Sequence, residues 1–225
     1  MPYYAIEFDG NGNGIGLHVY QEEPSDYPAN ELPCTEAQAQ TPMLWSNVNG
    51  VLIESLSATQ SAQTATTTNA YNAATNTVPV TIGGTTYQVD NSPARQALNL
   101  SLAITANALM QAPAWAASTE YTAGTYCSVS GVILFCSTAG KSGTSAPTPP
   151  TTFGTTVTDG TAAWELLGRK VYLQGGSFVY MTPQQIMSAF QQGELYLHQM
   201  SDKLELLKAE INAATTVTAV QTFTF

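Results

Sequence analysis

The feature that most constrains this chain is an apolar stripe near its C-terminal end. Ile186, Phe190, Leu197, Met200, Leu204, Leu207 and Ile211 recur at three- and four-residue spacing behind Thr182-Pro183. That spacing puts all seven on one side of a helix. The run predicts about 30 residues of helix, roughly 45 Å long, with Gly193 breaking the series. Such a stripe must be covered. One cover is the helix expected at 92–110, packed as an antiparallel partner; the other is a seam between subunits, which would make the chain a homo-oligomer. Packing on the earlier helix is preferred, because three to four uninterrupted heptads are not present.

The partner helix opens at Asp90-Asn91-Ser92-Pro93, with Ser92 placed to cap and Pro93 to take the first helical position. It is expected to run to about Met110, with Leu98, Leu102, Thr105 and Leu109 on one face. Two hairpins accompany the helices. One joins 78–80 to 86–89 through Ile82-Gly83-Gly84-Thr85; the other joins 171–173 to 178–180 through Gly175-Gly176. The fold class that follows is α+β: a small β N-terminal module, a two-helix plus hairpin scaffold, and an inserted small all-β module.

The boundaries are read as follows. Residues 1–56 form an acidic, mostly β module. In it, 3–8 and 15–20 pair across Asp9-Gly10-Asn11-Gly12-Asn13-Gly14, a short helix or turn capped by Thr35 follows, and Asn49-Gly50 turns into a strand at 51–54. Residues 57–77 are Ser, Thr, Ala, Asn and Gln with Tyr71 as their one large apolar side chain. They read as a low-complexity linker or loosely docked segment, since too little apolar surface is present to offset ordering the chain. The scaffold comprises 78–112 plus 169–225. Residues 113–168 are short strands with turn signals every few residues, Ser130-Gly131 being the best hairpin tip. The tail at 215–225 alternates in a way that suits an edge strand.

Charge is scarce and uneven. The chain has 225 residues, 16 acidic and 6 basic, for a net charge of −10. Charged residues make up 10%, against an ordinary ~25%. So few cations cannot neutralise a run of phosphates, which excludes nucleic acid as a partner. Residues 1–54 hold eight acids and no Lys or Arg. Such a piece either steers a basic partner or is simply a solvated face. Polarity comes instead from uncharged residues, 31 of them Thr, a texture that suits an extended surface or virion protein. No run of about 18 apolar residues occurs, so no membrane span is expected. The first residues lack a basic stretch followed by an apolar one, so no secretory signal is expected.

No residue pattern supports catalysis, and the chain is not expected to be an enzyme or to need a cofactor. Asp9-x-Asn11-x-Asn13-Gly14 resembles the start of a calcium loop, but the twelfth position is Tyr20 where a bidentate Glu is needed, so a hairpin turn is preferred over a weak cation site. Gly140-Lys141-Ser142 has no glycine-rich phosphate cradle before it. His18 and His198 lack patterned Ser, Cys or carboxylate partners, and no Gly-x-Ser-x-Gly occurs. Glu120, Asp159 and Glu165 do not form a placed carboxylate pair. Three cysteines make no even framework. Free thiols are the default for all three, Cys127 and Cys136 within one hairpin form a candidate bridge in oxidising surroundings, and no zinc spacing accompanies them.

The order Gly83-Gly84-Thr85-Thr86-Tyr87-Gln88-Val89-Asp90-Asn91-Ser92, helix, hairpin, Met181-Thr182-Pro183-Gln184, then a long helix ending Ile211-Asn212-Ala213-Ala214 resembles a short domain of bacteriophage tail-fibre and tail-fibre-assembly proteins. In that family a Trp-containing stretch joins the two helices; here residues 113–168 stand in its place. A small β opening followed by a Trp-centred turn, near Trp45-Ser46-Asn47, fits the same family. The insert has a second resemblance. Trp115, Tyr121, Gly124, Cys127, Gly131, Phe135-Cys136, Gly140-x-Ser142-Gly143, Pro147, Asp159-Gly160-Thr161 and Trp164 are similar in order to small chitin-binding-type carbohydrate-binding modules.

The resemblance implies sugar contact through aromatics. A pyranose offers one apolar C–H face, and a ring is a flat, rigid partner that loses little entropy. The candidates are Trp115, Tyr121, Tyr126, Phe135 and Trp164, with core or closing roles weighed for Trp115 and Trp164 and a surface role for Tyr121. Together these imply a structural tail component of a phage or prophage virion, near the fibre or baseplate. Its partners would be other tail proteins and a host-surface polysaccharide. The alternatives are a tail-fibre assembly chaperone not retained in the particle, and a non-viral carbohydrate-binding protein. All of this needs residues 113–168 to keep their own interior rather than merge into the scaffold's.

Overall fold

A computed structural model describes residues 2–225. The chain is a mixed α+β protein. Strands β1 (Tyr3–Phe8) and β2 (Gly14–Tyr20) pair antiparallel, and β3 (Glu31–Cys34) pairs with the other edge of β1. Helix α1 (Glu36–Ala39) follows, with Thr35 and Gln38 forming a capping box. Strands β4 (Trp45–Val48) and β5 (Val51–Glu54) make a hairpin over Asn49-Gly50, both at positive φ. Next come helix α2 (Leu56–Thr75), the hairpin β6 (Thr77–Ile82) and β7 (Thr85–Asp90), and helix α3 (Pro93–Leu109). The insert contributes β8 (Glu120–Tyr121), β9 (Tyr126–Val129), β10 (Val132–Thr138), β11 (Gly140–Lys141), β12 (Thr156–Asp159) and β13 (Ala162–Leu166). The hairpin β14 (Arg169–Tyr172) and β15 (Phe178–Met181) leads into α4 (Pro183–Ala213) and a short α5 (Val217–Gln221).

Contacts group these elements into two compact units, residues 1–72 with 201–225, and residues 73–200. The tail therefore belongs with the N-terminal module and not with the scaffold hairpins. Within the second unit, Val78, Val80, Val89, Ala106, Val171, Met181, Ile186 and Ala189 form one core, against which Leu102 and Leu197 also pack. The early part of the α4 stripe thus shares its interior with α3, but two β-hairpins fill most of the space a helix–helix seam would have occupied. Gly193 is not a break in the stripe. A Cβ there would stand 3.3 Å from Val78 Cγ1, so the missing side chain lets the β6–β7 hairpin approach the helix. The side chain of Gln192 accepts from Thr81 N at 2.7 Å and donates to Thr81 O at 3.1 Å, satisfying the outer backbone of that hairpin.

Helix α3 begins as expected, but Ser92 makes no side-chain cap bond. Asp90 Oδ1 accepts from Ser92 N at 3.0 Å instead. Its buried face is also rotated from the expected one. Ala103 and Ala106 face the interior, while Leu98 and Thr105 are exposed. Ala106 joins the hairpin core, and Leu102 packs half-buried beside it.

The 57–77 segment is not an unstructured linker. It is helical over Leu56–Thr75, and its inward positions Thr59 and Thr67 are buried. Threonine is a weak helix former, but Thr59 and Thr68 turn their hydroxyls back onto the Ser55 and Thr64 carbonyls, each at 2.8 Å. Tertiary contact supplies the rest. Gln60 Nε2 donates to the carbonyls of Ile211, Asn212 and Ala214 at 3.0, 3.1 and 3.0 Å. These belong to the end of α4, where helix carbonyls have no internal partner. Gln63 Nε2 donates to Phe223 O, and the rings of Tyr71 and Phe225 meet edge to face at 5.9 Å. The expected edge strand at 215–225 is replaced by α5, whose cap Thr216 accepts from Ala219 N. Val220 is fully buried there, along with Ile211.

The insert has its own interior. Strands run in the order β12-β13-β10-β9, with β11-β8 as a small second sheet. Cys127, Val129, Leu134, Cys136, Ala162 and Trp164 form a core distinct from that of the scaffold hairpins. Ser130 and Gly131, at φ 50 and 82, make the hairpin tip. Among the described residues no helix is long and apolar enough to cross a membrane.

Candidate functional site

The β14–β15 hairpin carries an aromatic outward face. Its register pairs Arg169 with Met181, Lys170 with Tyr180, Val171 with Val179 and Tyr172 with Phe178. Val171 and Met181 face the core. Alternation then puts Lys170, Tyr172, Phe178 and Tyr180 on the outward face. The solvated face of a hairpin is ordinarily polar; here three of four outward positions are aromatic, with Phe178 46% and Tyr180 43% exposed.

The rings form a continuous run. Tyr172 and Phe178 meet at 6.4 Å, Phe178 and Tyr180 at 5.7 Å, and Tyr180 and Phe153 at 5.7 Å. Phe153 and Tyr180 then border a cleft of about 280 Å³ whose other walls include Phe135, Glu165 and Gly168. A Cβ on Gly168 would lie only 2.4 Å from Phe153 Cδ1, so the Phe153 ring rests directly on glycine backbone. Beyond the cleft, Phe135 packs on Tyr126 at 5.7 Å. Two cations sit over the far end: the Arg95 guanidinium is 4.0 Å from the Tyr172 centroid and Lys170 Nζ is 4.5 Å from that of Phe178. Gln184, in the first turn of α4, donates to Gly131 O and ties this region to the β9–β10 tip.

The five aromatics singled out from the sequence do not share one surface. Trp164 is fully buried, so it cannot stack on a sugar. Tyr121 packs against it edge to face at 4.7 Å, and Trp115 packs on the same core. Tyr126 and Phe135 are cross-strand partners on the opposite face of the sheet, in a row with Glu165. Asp159 explains the division. Its Oδ2 accepts from Trp115 Nε1 at 2.7 Å and Trp164 Nε1 at 3.1 Å, and its Oδ1 accepts from Gly143 N at 2.7 Å. A carboxylate 5% exposed is thus fully used in closing the module, with both indoles held inward by it.

The other candidates resolve locally. Asp9 Oδ1 accepts from Asn11 N and Asn13 N, each at 2.9 Å. The Asn13 backbone N–H, followed by its side-chain amide, holds the Asp9 carboxyl below its ordinary range. The carboxylate therefore serves the turn, and among the described residues no cluster of three His, Cys, Asp or Glu side chains is arranged to hold a metal ion. Cys34, Cys127 and Cys136 are free thiols. Cys127 stands opposite Leu134, two residues from Cys136. Such diagonal neighbours have Cα atoms about 7–8 Å apart, beyond the span of a disulfide. Burial pushes the Cys127 thiol up to about 12, which keeps it protonated and unreactive. His18 does have partners: its Nδ1 lies 2.6 Å from Glu31 Oε1, and Tyr20 OH donates to Glu31 Oε2 at 2.6 Å.

No protein-family model, curated protein or solved structure matches this chain. The site therefore has to be read from its own chemistry. Phe153, Tyr172, Phe178 and Tyr180 are not among the sugar-contact residues that the resemblance implies; the last three lie on the scaffold hairpin, outside 113–168. The signal was present: once 169–181 is paired about Gly175-Gly176, Tyr172, Phe178 and Tyr180 fall on the face opposite the Val171 and Val179 side. The contribution of Phe153, in a Pro/Thr-rich loop, has no periodic signature.

Proposed function

We propose that this chain is a tail component of a phage or prophage particle, and that it contacts a host-surface saccharide through the Phe153–Tyr180–Phe178 face and the adjoining cleft. The tail assignment is supported by the ordered motifs at 83–92, 181–184 and 211–214. The saccharide assignment is supported chiefly by one observation: an outward-facing run of aromatic rings bordering a cleft, on a paired hairpin. Phe178 and Tyr180 keep much of their rings in water rather than in the core, and exposed apolar patches mark binding surfaces. A pyranose C–H face fits between or upon them, and Glu165 and the loop carbonyls near Gly154 and Gly168 supply acceptors for its hydroxyls.

The test uses the full chain on an array of bacterial surface polysaccharides. Binding is expected, with a loss of at least about tenfold when Phe153 and Tyr180 are both replaced by Ala, since stacking contacts contribute on the order of 1 kcal/mol each. Replacing Trp115 cannot stand in for this test because it opens the module core. Undiminished binding by the double variant removes the face from the mechanism. Detection of the chain's peptides in purified particles supports the tail assignment; their absence from particles assembled in its presence favours an assembly factor.

A further inference from the structure

Resting on that saccharide reading, we infer that the ligand is an acidic saccharide, and that Lys170 selects its carboxylate. The two ends of the aromatic run differ. At one end, Phe153 and Tyr180 border the cleft. At the other, the rings of Tyr172 and Phe178 carry cations, Arg95 at 4.0 Å and Lys170 at 4.5 Å from their centroids. Arg95 is already engaged, its Nε lying 3.8 Å from Asp90 Oδ2. Lys170 is not: among the described residues the ion pairs are His18 with Glu7 and Glu31, Arg95 with Asp90, and Lys208 with Glu205.

The unit of Lys170 holds five acids, yet this ammonium is held over ring faces, 4.5 Å from the Phe178 centroid and 6.0 Å from that of Tyr180. It stands on the same outward face as Tyr180, its direct cross-strand partner. A sugar ring stacked on Tyr180 thus places a substituent at its rim beside Nζ. A single ammonium, next to one engaged guanidinium, matches one carboxylate per sugar residue. The surroundings allow it: residues 73–200 hold five acids and four cations, so the anion meets no strong opposing field there. Glu165, on the cleft wall, faces the sugar's hydroxyl edge and disfavours a second carboxylate at that end.

The measurement is the ratio of affinities of the full chain for polygalacturonate and for the same polymer after carboxyl reduction. Wild type is expected to prefer the carboxylated form by about fivefold at low salt, the size of one partly exposed charge contact. The preference shrinks as salt is raised. It collapses in Lys170→Gln and persists in Lys170→Arg. A wild-type ratio near one, or a ratio unchanged in Lys170→Gln, overturns the acidic-ligand inference while leaving the saccharide reading standing. Binding of neither polymer nor any arrayed polysaccharide overturns the saccharide reading itself. Tighter binding to a phosphorylated polymer than to the carboxylated one overturns the choice of carboxylate.

Discussion

Residues 1–72 with 201–225 carry eleven acids and two cations, a net charge of −9, whereas residues 73–200 carry five acids and four cations, a net charge of −1. The units also differ in how their interiors are built. The second unit gathers its buried apolar residues into two clusters, one under the hairpins and one inside the insert. The first buries Ile6, Phe8, Leu204, Ile211 and Val220, but also Glu31, Thr59 and Thr67, and it closes α4 with a glutamine amide rather than a glycine cap. Net charge is concentrated where the aromatic face is not; buried polar groups occur in both units, the second holding Ser142 and Asp159.

The sharpest way to break this comparison is at the one carboxylate on which the insert depends. Asp159→Ala leaves two indole N–H groups and one backbone N–H without their acceptor. It is expected to destabilise the insert by at least about 3 kcal/mol, given what hydrogen bonds to a charged group contribute. Hydrogen exchange should show protection lost over β9, β10, β12 and β13 and retained over β1 to β3. Equal loss in both units would mean that they are not energetically separate.

The counterpart in the acidic unit is Gln60. Replacing it with Ala removes a donor shared by three carbonyls at and just beyond the end of α4 and is expected to cost about 1–2 kcal/mol, read as a shift in denaturation midpoint with protection reduced in α2 and α5. Gln60→Glu should cost more, because it sets a negative charge against the negative end of a helix. A Gln60→Glu variant as stable as wild type would show that these bonds do not hold the tail.

A smaller effect on stability, but a larger one on binding, is expected at Gly168. A Cβ there displaces the Phe153 ring, so Gly168→Ala should cost about 1 kcal/mol through overpacking and weaken saccharide binding to the level of Phe153→Ala. Normal binding by Gly168→Ala would detach Phe153 from the site.

The finest probe is pH. The bond to Glu31 pushes the Tyr20 hydroxyl up to about 12, followed by desolvation, from a free value near ~10. A group that holds its proton more tightly when folded contributes stability below its unfolded pKa, and that contribution fades as pH rises through the folded value. The acidic unit should therefore lose melting temperature between about pH 10 and 12, and Tyr20→Phe should flatten that segment. An unchanged slope in the variant would assign the loss to other tyrosines.

How much could be read in advance varied by element. The turns at Gly83-Gly84, Ser130-Gly131 and Gly175-Gly176, the Thr35 cap and the start of α4 at Pro183 were all legible, as was the α4 stripe from Ile186 to Ile211. Helix α2 was not, because its inward side is Thr59, Gln60, Gln63 and Thr67, which no hydrophobic period can report. The inward face of α3 was misplaced for the opposite reason: leucines marked a stripe, yet the buried positions are Ala103 and Ala106. Of the aromatics first suspected of meeting sugar, Trp164 is in the core, while Tyr126 and Phe135 lie beside the cleft that Phe153 and Tyr180 complete.

Local chemistry alone was enough for turns, caps and the longest helix, since a positive-φ glycine, a proline at a first turn or a repeating apolar position acts within a few residues of itself. Partners far apart in the chain settled the rest: that a glutamine would end a helix some 150 residues away, that one aspartate would draw two tryptophans inward, and that rings from a loop and a hairpin would line one cleft. Those outcomes depend on which groups are brought within a few ångströms of each other, and only the folded chain fixes that distance.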